Sequence, residues 1–364
     1  MTQKTIIIAE AGVNHNGDTG LAIKLIDAAA EAGADMVKFQ TFKSTNLASA
    51  RAVKASYQKV TTDKSENQLD MLRRLELTND DHLKLVEHCQ RRGITFLSTA
   101  GEVESLRFLA ETLNLPTIKL GSGELTNAPL LLAAARTEAR LILSTGMGTI
   151  SEIEMALGIL AFGMTYTDDL NAGREAFSDA LLQNGIWDRL REKVSLLQCT
   201  TEYPSAVEDT NLRVMDTLHS AFGLEIGYSD HTEGNAISFA AVALGATIIE
   251  KHITLDRTME GPDHAASVEP DTFADLVCGI RQVEKALGSG IKRPSPRELE
   301  NRKVVRRSLV AARLIKGGTV LSAGDLTVKR PGEGISAVDL WDIVGRRAVR
   351  DLVQDETLRA EDLS

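Results

Sequence analysis

Short apolar runs rich in β-branched residues recur along the chain. Each closes on small or polar residues and is followed by apolar positions at helical spacing. Eight such runs stand out: Thr5–Glu10, Met36–Gln40, Thr95–Ser98, Thr117–Leu120, Leu141–Ser144, Ser195–Cys199, Glu225–Tyr228 and Thr247–His252. They read as strands that are nearly continuously apolar, the pattern of a parallel sheet covered on both faces. Strands alternating with helices imply βαβ units. Eight of them predict an α/β fold, a closed (β/α)8 TIM barrel, with an open doubly wound sheet as the alternative. The helical spacing predicts helices over Thr19–Ala32 and Asn79–Arg92, each stopped by a glycine, Gly33 and Gly93.

Two connections exceed what helix closure requires. Lys43–Leu77 follows the second strand and is a candidate lid, because loops after strands build the active face of a barrel. Gly163–Lys193 precedes the sixth strand and is expected to be structural. The barrel pattern over residues 1–287 gives way at 288–303 to a charged, Pro- and Gly-containing stretch that reads as a linker. Residues 304–364 carry short β-prone pieces with turns, enough for a small separate domain.

With 364 residues and 43% of them hydrophobic, the chain can bury a large core. Its net charge of -10 argues against nucleic acid or an anionic membrane as a partner, so an anionic substrate would have to be caught by a few local donors. Cys89, Cys199 and Cys278 have no CxxC spacing, and each is expected to be a small buried hydrophobe. The apolar run after Met1 is too short for a signal peptide and nothing approaches a membrane span, which makes the cytoplasm the expected location.

In a TIM barrel the C-terminal strand ends face the active site. Those ends supply Glu10, Lys38 with Gln40, Ser98, Lys119 with Ser122 and Glu124, Ser144, Thr201 with Tyr203, Ser229 with His231, and His252. Strand parity puts Lys38 and Gln40 on one face of their strand, and likewise Glu250 and His252 on one face of theirs. A lysine inside an apolar run either snorkels to the rim or meets an anion. Two lysines with Ser122, Ser144 and Ser229 suit a phosphate and a carboxylate together. His231 and His252 end neighbouring strands, and two imidazoles there suit one divalent metal completed by water or substrate. Taken singly, each histidine also reads as an ordinary hydrogen-bonded residue. Glu10, across the seam from the eighth strand, is placed to orient or deprotonate a water.

Several strings resemble one family in order along the whole chain: AEAGVNHNGD (Ala9–Asp18), VKFQTFK (Val37–Lys43), KLGSGEL (Lys119–Leu125), LSTGM (Leu143–Met147), CTTEYP (Cys199–Pro204), GYSDHT (Gly227–Thr232), EKHITLD (Glu250–Asp256) and EGPDHAAS (Glu260–Ser267). The family is that of the sialic acid synthases. The tail, with VKRPGEG at Val328–Gly334, resembles the antifreeze-like (SAF) domain that ends these enzymes. The resemblance implies condensation of phosphoenolpyruvate with an open-chain N-acetylmannosamine-type aldehyde, a divalent metal (Mn2+, with Mg2+ or Co2+ as alternatives), and a domain-swapped homodimer. It matches His231 and His252 to the metal ligands and Glu10 to the catalytic carboxylate. Lys38, Lys119, Ser122, Ser144 and Ser229 match phosphoenolpyruvate contacts. Gln40, Glu124, Tyr203 and Asp263 match the sugar pocket, and Arg330 an arginine offered to the partner's site. Some members have Asn where this chain has Thr201, which is therefore left out. CTTEYP and GYSDHT are also similar to legionaminic acid synthases, the alternative reading, which take a 2,4-diacetamido-2,4,6-trideoxymannose. Remoter alternatives are a Schiff-base pyruvate aldolase using Lys38 or Lys119, and a tail that serves as a binding module on an inert barrel.

Overall fold

The computed structural model describes residues 4–55, 58, 62 and 66–364. Eight parallel strands close into a barrel in sequence order: β1 (Ile6–Gly12), β2 (Met36–Thr41), β3 (Thr95–Ala100), β4 (Thr117–Leu120), β5 (Arg140–Ser144), β6 (Val194–Cys199), β7 (Glu225–Asp230) and β8 (Ile248–His252). The barrel, not the open sheet, is the fold. β1 seals against β8 in register, with Glu10 directly opposite His252.

Local chemistry explains where the helices begin and end. Asp18 accepts hydrogen bonds from the amides of Gly20 and Leu21 and starts the helix Thr19–Glu31. Thr78 and Asp81 form a reciprocal capping box for Asn79–Arg92, and Gly93 ends that helix in the left-handed region at φ 68°. The segment before β6 folds into the helices Arg174–Ala180 and Ile186–Lys193. After β2 come the helices Ser44–Leu47 and Gln68–Leu75, while residues 56–57, 59–61 and 63–65 of the candidate lid lie outside the described residues.

The barrel interior is layered. Ile8, Leu97, Ile142, Leu197 and Ile248, from five strands, form an apolar plug. At the plug's level β7 carries Gly227, where a Cβ would lie 2.5 Å from Leu197 Cδ2 and 2.6 Å from the Ile248 carbonyl oxygen. Only a residue without a side chain leaves the plug room to close. Two residues further along each strand, on the same face, the plug gives way to Glu10, Thr99, Ser144, Cys199 and Glu250, with Ser229 above Gly227. A polar layer thus sits on a dry floor.

The chain divides into two compact units, Met1–Gly288 and Ser289–Ser364. The stretch read as linker carries a helix, Pro296–Val305, capped by Ser295 and Glu298 and burying no residue. In the second unit the strands β9 (Ser308–Ala311) and β10 (Leu326–Lys329) pair antiparallel over a core that includes Leu309, Ile315, Leu321, Leu352 and Leu358. Cys89 and Cys199 are buried as expected, but Cys278 is exposed. The helix Pro270–Leu287 buries Phe273, Leu276, Val277 and Ile280, and Cys278 falls outside that set. Among the described residues no helix is long and apolar enough to cross a membrane.

Candidate active site

A cavity of about 250 Å³ opens at the C-terminal ends of the strands. Its floor holds four ionisable groups, each no more than 5% exposed at the side chain. Lys38 Nζ lies 2.8 Å from Glu10 Oε2 and 3.6 Å from Glu250 Oε2, and donates to Thr99 Oγ1 at 3.0 Å. Lys119 Nζ donates to Ser144 Oγ at 2.6 Å and sits 3.8 Å from Glu250 Oε1. Ser229 Oγ donates to Glu250 Oε1 at 2.8 Å. Removing this many charges from water costs several kcal/mol per ion unless partners compensate. An arrangement that expensive is expected where a ligand needs it.

The two carboxylates are driven apart. Burial raises Glu10 to about 7 against the opposing pull of Lys38. Burial pushes Glu250 upward too, but Lys119, Lys38 and the Ser229 hydroxyl outweigh it and hold the carboxyl near 2. Glu250 is then a fixed anion, and Glu10 exchanges a proton near neutrality. Separation of this kind marks acid–base assignments. Lys119 is lowered by burial, only partly offset by Glu250, while Glu10 and Glu250 overcome the burial of Lys38 and raise it. Burial also lifts Asp263 to about 6.

His231 and His252 line the same cavity, their ring centroids 5.6 Å apart and inclined at 68°. His231 Nδ1 donates to the Thr200 carbonyl at 2.6 Å, which leaves Nε2 with the lone pair. Burial lowers His231 to about 4; His252 falls well below its usual value through burial and the neighbouring His231. Both rings are neutral, the form that binds metals. The Tyr203 ring packs against both, at 4.1 and 5.5 Å.

Most residues singled out in the sequence meet here. Gln40 Nε2 approaches Glu10 Oε1 at 3.5 Å, and Gly12 lies where Glu10, Gln40 and Asp263 converge. Ser122 Oγ accepts from the Gly146 amide and lies 3.2 Å from Cys199 Sγ. Two residues of the barrel fall elsewhere. Ser98, one residue before Thr99, lies on the opposite face of β3, where its hydroxyl meets that of Thr41 at 2.7 Å. Glu124 does not line the cavity; it is engaged by Asn127 Nδ2 at 2.6 Å. Arg330 follows β10 in the second unit. Glu250, Thr99 and Cys199 line the cavity but were not singled out, and Thr201, left out, lines it as well. Glu250 was within reach, since its shared face with His252 was already legible. One wall differs in character: Val13, Met71, Leu72 and Leu75, the last three from Gln68–Leu75, are apolar.

The sequence profile of the NeuB family matches residues 25–292, and that of the SAF domain residues 306–364. The chain belongs to the NeuB family. It is an enzyme, a phosphoenolpyruvate-dependent nonulosonic acid synthase. Among its relatives in the family, the N,N'-diacetyllegionaminic acid synthase of Campylobacter jejuni is 47% identical over 98% of this chain and 99% of its own length. That of Legionella pneumophila is 42% identical over 97% and 92%. A crystal structure of the N-acetylneuraminic acid (sialic acid) synthetase of Leptospira borgpetersenii is similar with a TM-score of 0.66 and 33% identity, over 82% of this chain and 90% of that one.

NeuB enzymes are metal-dependent, and the two imidazoles fit that need in part. Among the described residues no three His, Cys, Asp or Glu side chains converge as a metal cluster. The donor set is two neutral imidazoles, and a buried His252 Nδ1 has no hydrogen-bond partner. An ion held here would complete its shell with water or substrate.

Proposed function

We propose that this NeuB-family chain condenses phosphoenolpyruvate with open-chain 2,4-diacetamido-2,4,6-trideoxymannose and water, releasing phosphate and N,N'-diacetyllegionaminic acid. The observation that carries the choice of sugar is the identity of the two legionaminic acid synthases, 47% and 42% over nearly the whole chain, against 33% for the Leptospira sialic acid synthetase. The expected acceptor N-acetylmannosamine therefore gives way to its alternative. The apolar wall supports the same choice. An acceptor with a methyl group at carbon 6 loses nothing against Val13, Met71, Leu72 and Leu75, whereas a hydroxymethyl group there would bury a hydroxyl without a partner.

In this reading Lys38, Lys119, Ser122, Ser144 and Ser229 hold the phosphate and carboxylate of phosphoenolpyruvate over the apolar plug. Gln40, Tyr203 and Asp263 orient the sugar, and Arg330 is contributed by the tail of a second copy in a homodimer. His231 and His252 would hold a divalent ion, Mn2+ first, which when bound supplies Lewis-acid polarisation of the aldehyde oxygen. Carbon 3 of phosphoenolpyruvate bonds to the aldehyde carbon as the C=O π pair moves onto the aldehyde oxygen, and water adds at the cationic carbon 2. Ionised Glu10 takes a proton from that water and returns it to the new alkoxide. The tetrahedral carbon 2 then loses its phosphate by C–O cleavage while its hydroxyl proton passes to the departing phosphate, leaving the keto group. Fixing both substrates against buried groups removes much of the entropic barrier to their alignment.

The test compares kcat/KM for the two acceptors at saturating phosphoenolpyruvate. The trideoxy sugar should be preferred, and Leu72→Asn should narrow that preference by about tenfold, since a methyl-sized difference in an apolar pocket is worth about 10- to 200-fold. A wild-type preference for N-acetylmannosamine would overturn the choice of sugar.

A further inference from the structure

β7 and β8 are tied together twice just before the two histidines, once on each face of the sheet. In register, Ser229 pairs with Glu250 and Asp230 with Lys251. Ser229 and Glu250 meet inside the cavity. By strand parity Asp230 and Lys251 point the other way, into the layer between strands and helices. There Lys251 Nζ donates to Asp230 Oδ2 at 2.9 Å, with side-chain exposures of 2% and 0%. Ser238 Oγ, from the helix Ala236–Ala243, donates to the same oxygen at 2.6 Å. Asp230 Oδ1 accepts from the Thr232 amide at 2.9 Å and from its hydroxyl at 2.7 Å, and Lys251 Nζ also donates to the Thr232 carbonyl at 2.9 Å.

Thr232 follows His231, so both of its backbone polar groups are held by the pair. Asp230 precedes His231, and Lys251 precedes His252. The backbone on both sides of one imidazole and before the other is therefore fixed by a single buried ion pair. His231 has a further anchor in the Thr200 carbonyl, whereas the Nδ1 of His252 has no hydrogen-bond partner. The orientation of His252 thus depends on its backbone and on ring packing against Tyr203.

We infer that Asp230 and Lys251 are positioning residues that set the separation of His231 and His252, and with it the affinity for the divalent ion. A purely stabilising role is a poor explanation of the pair. A buried ion pair seldom exceeds an apolar replacement in stability, and its best-attested use is to specify one arrangement. The inference rests on the reading of His231 and His252 as metal ligands.

The test uses full-length protein stripped of metal and titrated with Mn2+ alone, by calorimetry, with Tm measured in EDTA. Asp230→Asn combined with Lys251→Met removes the cross-strand tie, keeps an acceptor for Thr232 and leaves no unpaired charge. Mn2+ affinity should fall about 10- to 100-fold, the range for groups that orient metal ligands. Ser238→Ala, which removes one hydrogen bond to Asp230, should lower it about threefold and serves if the double variant does not fold. Wild-type Mn2+ affinity in a folded double variant, or in Ser238→Ala when its Tm falls, overturns the inference. If Mn2+ binding survives His231→Ala unchanged, the metal reading fails instead, which separates the two claims.

Discussion

A hollow of about 590 Å³ lies beside the N-terminal ends of β5 and β6, more than twice the volume of the cavity at the strands' C-terminal ends. It is lined by Arg136, Arg140, Arg189 and Lys193 and so has more cations than its smaller counterpart. Yet each of these is already occupied. Arg189 donates to the Met164 carbonyl, Arg136 to Tyr166 and Asp168 carbonyls, Arg140 to Glu225 and Lys193 to the Ala135 carbonyl. The smaller cavity has buried lysines that face each other across the Glu250 anion; it also has the Glu10 carboxyl, raised by burial to about 7, and two neutral imidazoles. Volume and charge count favour the first hollow, whereas burial and the separation of pKa values favour the second as the candidate site.

That contrast can be broken by substitution, beginning with the largest effect. Glu10→Gln should lower kcat/KM by about 10²- to 10⁴-fold, the usual range for a lost general base. Its pH profile is diagnostic. A base must be ionised, so wild-type kcat/KM should rise with pH through about 7, where burial has raised Glu10, and Glu10→Gln should lose that limb. Lys119→Met should lower kcat/KM by about 10²- to 10³-fold, as expected when a preorganised donor is removed. At the other end, Arg189→Ala should leave kcat/KM within about twofold, because its partner is a carbonyl at the protein surface. A large loss in Arg189→Ala would erase the distinction between the two hollows.

Much of the working end could be read from the chain, for a physical reason. Parallel strands alternate faces with a strict period of two, so once β2 was recognised, Lys38 and Gln40 had to point together. Each of the eight strands falls within two residues of its expected bounds. The same rule placed Glu250 beside His252, but parity gives direction and not partners. Nothing in one sequence shows that Glu250 lies between Lys38 and Lys119. Glu124 shows the opposite failure: its place beyond β4 was legible, but its capture by Asn127 is set by the local turn Ser122–Glu124. The exposed Cys278 turned on which face of the helix Pro270–Leu287 packs, a choice its mixed composition left open.

The most direct measurement is phosphate release from phosphoenolpyruvate with and without the diacetamido-trideoxy sugar, each in Mn2+ and in EDTA. Release that requires both the sugar and the metal, and that ends in Glu10→Gln, is the expected result. Phosphate released at the same rate without the sugar, or undiminished in EDTA, would contradict the account of the smaller cavity as a metal-assisted condensing site.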